Sequence, residues 1–308
     1  MPITRRDAVI GGLLAPVVLP GIAQAQQPDK VSIGHVMASD FVPLFVGKEK
    51  GIFAKHNLDV TNVRIPIIVN IPPAILSGSL QMGAATMPLL LQAVDGGLDL
   101  VLVAGASRHL RSQSKIGLMV RSDLKVEKPE DLKGKKIGVA GFNSTMDIFV
   151  RKWLMTKGVN PRDVNFVEAQ FPSMPDLLRS GTIDAVTITD PFRTLAVNSK
   201  AGYVFAEYFA DVVPDALMIG YIATRDWATK NPNVIREFRE GLAEASKWTV
   251  DNFADAQEIE QKVLNNKSPS PPVISVAAKP EDLQVYIDVG KELGLYNTQL
   301  DPKKIVWP

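Results

Sequence analysis

Ser144 and Thr145 follow a short apolar stretch, Ile137-Gly138-Val139-Ala140, and a turn, Gly141-Phe142-Asn143. Met146, Phe149, Val150, Trp153 and Leu154 then recur at the three-and-four spacing of one helical face, which predicts a helix of about three turns from Ser144. The first amides of such a helix have no intrahelical acceptor, and the helix dipole favours negative charge there. Two hydroxyls beside those amides are chemistry for holding a carboxylate or a sulfonate. Ser144 with Asp147 three residues on also reads as a capping box, so helix capping alone accounts for the same residues.

Other chemistry is poorly supplied. Histidine occurs only as His35, His56 and His109, with no His-x-x-His pair and no Glu-rich cluster at metal-ligand spacing. Cysteine is absent, which removes thiol catalysis and thiolate metal sites. No nucleophile-elbow pattern places a serine near a histidine. An enzyme is therefore the weaker class, and no metal or cofactor is expected.

The strand, turn and helix that carry Ser144 occur twice. Ile33-Gly34-His35-Val36 followed by Met37-Ala38-Ser39-Asp40-Phe41 matches Ile137-Gly138-Val139-Ala140 followed by Gly141-Phe142-Asn143-Ser144-Thr145. Ser77-Gly78-Ser79-Leu80-Gln81-Met82-Gly83 through Thr86-Met87-Pro88 matches Ser180-Gly181-Thr182-Ile183-Asp184-Ala185-Val186 through Thr189-Asp190-Pro191 at nearly the same offset. A weaker pair sets Leu100 to Ala104 against Tyr203 to Glu207. Near-constant spacing across three elements predicts one α/β lobe built twice, each a mostly parallel sheet flanked by helices. Ligands of open α/β sheets sit beyond the carboxyl ends of the strands, so the two strand-end sets should face each other across a cleft.

At the N-terminus, Thr4-Arg5-Arg6 precedes an apolar run from Ala8 to Leu19, and Ala23-Gln24-Ala25 offers a small-residue cleavage site. Residues 1–25 read as an export signal cleaved near Ala25, by the twin-arginine or the general secretory route. The run is short against the roughly 20 residues of a membrane helix. Its removal takes Arg5, Arg6 and Asp7 and leaves equal numbers of basic and acidic side chains. Nucleic acid and anionic membranes are thus poor partners for the remainder, which is long enough for two sizeable cores.

The first lobe is expected over 26–115, the second over 116–217, and the return to the first, with C-terminal helices, over 218–308. Lys115 to Arg121 and Ala216 to Thr224 are the predicted hinge crossings. Pro232 should open a long amphipathic helix whose buried stripe is Ile235, Phe238, Leu242, Ala245, Trp248 and Val250.

Pro43-Leu44-Phe45-Val46-Gly47-Lys48-Glu49-Lys50-Gly51-Ile52-Phe53, Leu76 to Gly83, Leu132-Lys133-Gly134-Lys135-Lys136-Ile137-Gly138-Val139, Ile183-Asp184-Ala185 and Tyr221-Ile222-Ala223-Thr224 together resemble the nitrate/sulfonate/taurine-type periplasmic solute-binding proteins of ABC importers. The same broad group includes thiamine-pyrimidine-precursor binders. The resemblance covers nearly all of the chain beyond the signal. It implies a two-lobe clamshell, working as a monomer in the periplasm, that closes on a small ligand and delivers it to a membrane permease. It also implies ligand positions at Ser39, Asp40, Phe41, Thr86, Met87, Asn143, Ser144, Thr145, Thr189 and Asp190.

Phe41, Phe142, Met87 and Met146 are read as walls for an apolar ligand body or as plain core. Arg108 and His109 either add positive charge or end a solvated strand. Asp190 repels an anion, binds an amine or hydroxyl, or caps the helix before Pro191. Tyr221 faces the cleft or packs in the core. A small organic anion with an apolar body, an aromatic carboxylate or a sulfonate, is the favoured ligand; an amine-bearing or pyrimidine ligand, and an exported sensor or enzyme on the same fold, are the alternatives.

Overall fold

The computed structural model describes residues 27–265 and 267–308. The export segment expected at 1–25 lies outside the described residues. Strands run in chain order as β1 (Asp29–His35), β2 (Leu58–Arg64), β3 (Met82–Thr86), β4 (Leu100–Gly105), β5 (Arg108–Leu110), β6 (Gly117–Arg121), β7 (Lys136–Val139), β8 (Asn165–Glu168), β9 (Ala185–Ile188), β10 (Gly202–Ala206), β11 (Asp215–Leu217) and β12 (Ile219–Thr224).

Two five-stranded sheets form, ordered β2-β1-β3-β12-β4 and β10-β6-β9-β7-β8. Read from the other edge, the second order is that of the first under the repeat found in the sequence, with β6 in the place of β12. Both of these strands run antiparallel to their neighbours. Within each sheet the remaining strands share one direction, so the sheets are mostly parallel with one reversed member. The repeat extends to register. Ile33 pairs Met82 and Gly34 pairs Gly83 in the first sheet, while Ile137 pairs Ala185 and Gly138 pairs Val186 in the second.

Even the strand entry is duplicated. The Ser32 amide donates to Gln81 Oε1 at 2.9 Å, and the Lys136 amide donates to Asp184 Oδ2 at 2.9 Å. At the exits, Ile65 N donates to His35 O and Ala169 N to Val139 O. Two chain segments with different side chains thus fold to one hydrogen-bond plan, because the apolar positions that bury the strands keep the same spacing.

Between the sheets β5 and β11 pair antiparallel, Arg108 opposite Leu217 and Leu110 opposite Asp215, making a short ribbon where the chain crosses. The segment 273–276 joins it: Arg108 N donates to Val273 O at 2.8 Å and Gly105 N to Val276 O at 2.8 Å. The return crossing, expected as one strand, is therefore two. Helix Pro232–Asp251 buries Val234, Ile235, Phe238, Leu242, Ala245 and Thr249 against the first lobe. Val250, placed in the stripe from the sequence, is 53% exposed, because Thr249 takes the core position and donates its hydroxyl to Ala245 O at 2.7 Å. The C-terminal end packs on the first sheet, with Trp307 N donating to Leu102 O. No helix among the described residues is long and apolar enough to cross a membrane.

Candidate functional site

A cavity lies where the strand ends of the two sheets face each other. It leaves about 100 Å³ open to a water-sized body, room for several waters or one small molecule. From the first lobe come Ser39 and Asp40 after β1 and Thr86 at the end of β3. From the second come Ser144 and Thr145 after β7, and Thr189 and Asp190 after β9. The crossing contributes Ser107, Arg108, His109 and Lys115, and the C-terminal segment adds Pro272 and Val273.

Several polar atoms on this wall lack a hydrogen-bond partner. Thr86 Oγ1, Ser107 Oγ, His109 Nε2, Ser144 Oγ and Thr145 Oγ1 are all buried and unpaired, and they are half of such atoms found among the described residues. Ser107 sits near Asp40 and Thr145 near Tyr286, but neither meets hydrogen-bond geometry. An unpaired buried polar group costs roughly 1–3 kcal/mol, so their gathering in one cavity marks groups held ready for a ligand.

Two helices start at these hydroxyls. Thr86 is the N-cap of Met87–Asp95, and Ser144 that of Thr145–Thr156; neither side chain caps its helix. The expected capping box is thus not formed. Asp147 instead accepts from the Asn143 amide at 2.8 Å through Oδ2 and from Arg151 Nε at 2.8 Å through Oδ1. That pairing holds Asn143 at φ 59°, a left-handed turn that Asn tolerates, and leaves Ser144 free to turn inward. One helix N-terminus from each lobe therefore borders the cavity, and both dipoles favour negative charge there.

The charged side chains complicate that preference. Arg108 does not offer a free cation, because its guanidinium pairs with Asp215 at 3.1 Å and also with Asp282. His109 is neutral near pH 7: burial pushes its pKa down to about 4, with Arg111 adding to the fall and Asp215 opposing it. Neither of the two readings the sequence left open fits both residues: Arg108 is neutralised in ion pairs, and His109 is buried rather than at a solvated strand end. Lys115 donates to Ser270 O at 2.7 Å and to Pro271 O; burial lowers its pKa, with the carboxylates of Asp190, Asp40 and Glu260 opposing the fall. Burial raises the pKa of Asp40. Asp190 caps helix Phe192–Asn198, accepting from Thr194 N at 3.1 Å and Thr194 Oγ1 at 2.7 Å, and still lines the cavity.

Some expected positions fall elsewhere. Phe41 and Tyr221 are core: Tyr221 packs edge-on against Phe41 and Phe238, with ring centroids 6.5 and 5.0 Å away. Met87 is fully buried behind Thr86. Phe142 does not line the cavity and is 42% exposed, and Asn143 borders a separate groove. Met146, read from the sequence as wall or core, does line the cavity, and Phe171 and Ile68 join it as apolar wall. Ser39 lines the cavity with its hydroxyl already committed to Ser268 Oγ at 2.6 Å, itself held by the buried Glu260. Ser107, Lys115, Pro272 and Val273 were not foreseen; Ser107 adjoins Arg108, whereas Pro272 and Val273 arrive from far along the chain with no local signal.

Two lobes of like topology with a cavity between their strand ends define the clamshell of the periplasmic binding proteins. The alkanesulfonate-binding protein SsuA from Xanthomonas axonopodis pv. citri, solved bound to MOPS, superposes with a TM-score of 0.75 at 19% identity, covering 92% of this chain and 99% of that one. The chain belongs to the NMT1/THI5-like family, whose model matches residues 38–256. The nitrate/nitrite binding protein NrtA of Nostoc sp. is 25% identical over 244 residues, 71% of this chain and 53% of that protein. The bicarbonate-binding protein CmpA of Synechococcus sp. is 25% identical over 264 residues, 77% of this chain and 57% of that protein. The chain thus spans little more than half the length of these curated relatives.

Proposed function

We propose that this chain is the solute-binding component of an ABC importer, exported to the periplasm, which captures a small organic anion between its lobes and hands it to a membrane permease without chemical change. The unpaired hydroxyls of Thr86 on one lobe and of Ser144 and Thr145 on the other, each at a helix N-terminus, carry this reading. They can receive one anionic group from both sides, while Met146, Phe171 and Ile68 enclose an apolar body. An aromatic carboxylate or a sulfonate has that shape. The relatives named for nitrate, bicarbonate and alkanesulfonate lend support through their common preference for anions. The lobes divide near residues 115 and 217, and ligand contacting both faces favours the closed form.

A second reading rests on Asp40 and Asp190, which face the cavity with Lys115 as their shared cation. Two carboxylates to one ammonium suit a ligand that also donates N–H groups, such as an amine or a pyrimidine.

A thermal-shift screen of the protein lacking residues 1–25 against nitrate, bicarbonate, ethanesulfonate, benzoate, taurine and cytosine separates the readings. A compound at about 100 times its dissociation constant adds roughly 2.7 kcal/mol. Stabilisation by anions alone supports the first reading, by cytosine or amines alone the second, and by none of them removes both. In the double variant Ser144→Ala/Thr145→Ala, the hit should bind about 10- to 100-fold more weakly by calorimetry, the range of one or two hydrogen bonds to a charged group. The ligand-free midpoint should hold or rise, since unpaired buried hydroxyls are being removed. A fallen midpoint with unchanged affinity would return both residues to a purely structural role.

A further inference from the structure

The turn after β7 also meets the opposite lobe. Gly141 is buried, and a Cβ built on it would lie 3.2 Å from Val69 Cγ1 and 3.6 Å from Ile67 Cγ2 and Ile68 Cγ2. These residues belong to the segment 65–69 that leaves β2 of the first lobe, an apolar run of Ile65, Pro66, Ile67, Ile68 and Val69. Pro66 and Ile68 line the cavity from the same segment. The mouth is thus shut on this side by an apolar lip of one lobe laid on the bare backbone of the other. Gly141 is not held in the left-handed region, so its φ makes no demand for glycine; proximity alone does. The repeat places Met37 at the equivalent position of the first lobe, so only one of the two turns is built flush.

We propose that Gly141 is the positioning residue that lets the two lobes shut, setting affinity through the closed form without touching the ligand. The proposal deepens the clamshell reading above and rests on it. A methyl at 3.2 Å from Val69 is tighter than ordinary carbon contacts, so even alanine obliges the lip to yield, and a larger side chain holds it off altogether. With the lobes apart the same side chain faces water. The penalty therefore falls on the closed form alone, and a change of a given factor in the closed-to-open ratio passes directly into apparent affinity.

Because the chain has no cysteine, a label pair can be introduced cleanly. Leu76→Cys and Met155→Cys place spin labels at exposed sites, one on each lobe, each side chain being 42% exposed. Distances are read by pulsed electron paramagnetic resonance in buffer and in nitrate, bicarbonate, ethanesulfonate, benzoate, taurine and cytosine. The otherwise unchanged chain should show the short, closed distance in at least one of these solutions. Gly141→Leu should lose it in all of them at an unchanged thermal midpoint, Gly141→Ala should show a reduced share, and Gly141→Leu/Val69→Ala should regain part of it. Retention of the short distance by Gly141→Leu overturns the proposal, as does its absence from the unchanged chain in every solution. Should Gly141→Leu fail to fold, Gly141→Ala decides by the same reading. Where the unchanged chain shows the short distance in buffer alone, Gly141→Leu and Gly141→Ala test the lip there whether or not any compound binds, so a failed screen and a failed lip remain distinguishable.

Discussion

Replacing Arg151 with Ala is expected to lower the unfolding free energy by about 3 to 5 kcal/mol, the range for a buried charge stripped of its partner. Asp147 is fully buried in the first turn of helix Thr145–Thr156, and Arg151 Nε is its cationic partner at 2.8 Å. The guanidinium also lies over the Phe166 ring, 3.9 Å from its centroid, so some of the loss is packing. Burial already pushes the Asp147 pKa up, with Arg151 and the Asn143 amide pulling it back and Glu168 adding to the rise. A raised folded-state pKa makes the ionised carboxylate a burden that grows as pH rises through that value. Loss of Arg151 raises it further, so the penalty should be greatest near neutrality and shrink on acidification. Denaturant unfolding of both proteins across that range is the check; a penalty that ignores pH would assign the loss to packing alone. Arg151→Met/Asp147→Asn should recover much of it, because the Asn oxygen can still hold the Asn143 amide and no bare charge remains.

Acidification should cost the unchanged protein stability through His109. Its folded pKa of about 4 lies below the ordinary 6.5, so between these values the unfolded chain takes up a proton that the folded chain refuses. Stability is then fully present above pH 6.5 and falls as pH drops to about 4, by about 3 kcal/mol in all. His35 is shifted the same way, chiefly by burial, with Arg64 adding to the fall and the Val36 carbonyl opposing it, so the acid slope is shared. His109→Gln isolates one share: its unfolding free energy should fall less steeply across the same window. Parallel curves for variant and parent would show that the imidazole is not shielded as its burial beside Phe209 implies.

The lobes, their order and the strand-to-helix turns were legible because apolar spacing repeats at a fixed interval, and that spacing is what a sheet must bury. The ribbon of β5 and β11 was not, since three-residue strands are too short to show a period. At the site, Ser144 and Thr145 could be named from their place at a strand end and helix start, and Thr86, Asp40 and Asp190 from the family resemblance. Orientation was beyond that argument. Whether Phe41 or Tyr221 turns to the cleft depends on partners such as Phe238, far along the chain, and a sequence lists no partners. The charge of the wall was left open for the same reason, because Asp282 reaches Arg108 from the C-terminal helix Glu281–Glu292.

The placement of β12 has a consequence for the order of synthesis. It lies inside the first sheet, between β3 and β4, although it is made after the whole of the second lobe. Until residue 224 has emerged, β3 and β4 each keep an open edge, the kind of edge that invites pairing with other chains. The strands of the second sheet, by contrast, lie in the unbroken stretch from Gly117 to Ala206. The lobe begun first is thus the lobe completed last, and the newborn chain must carry unfinished β edges for as long as it takes to make some 120 residues, roughly 6 to 24 s at 5–20 residues per second.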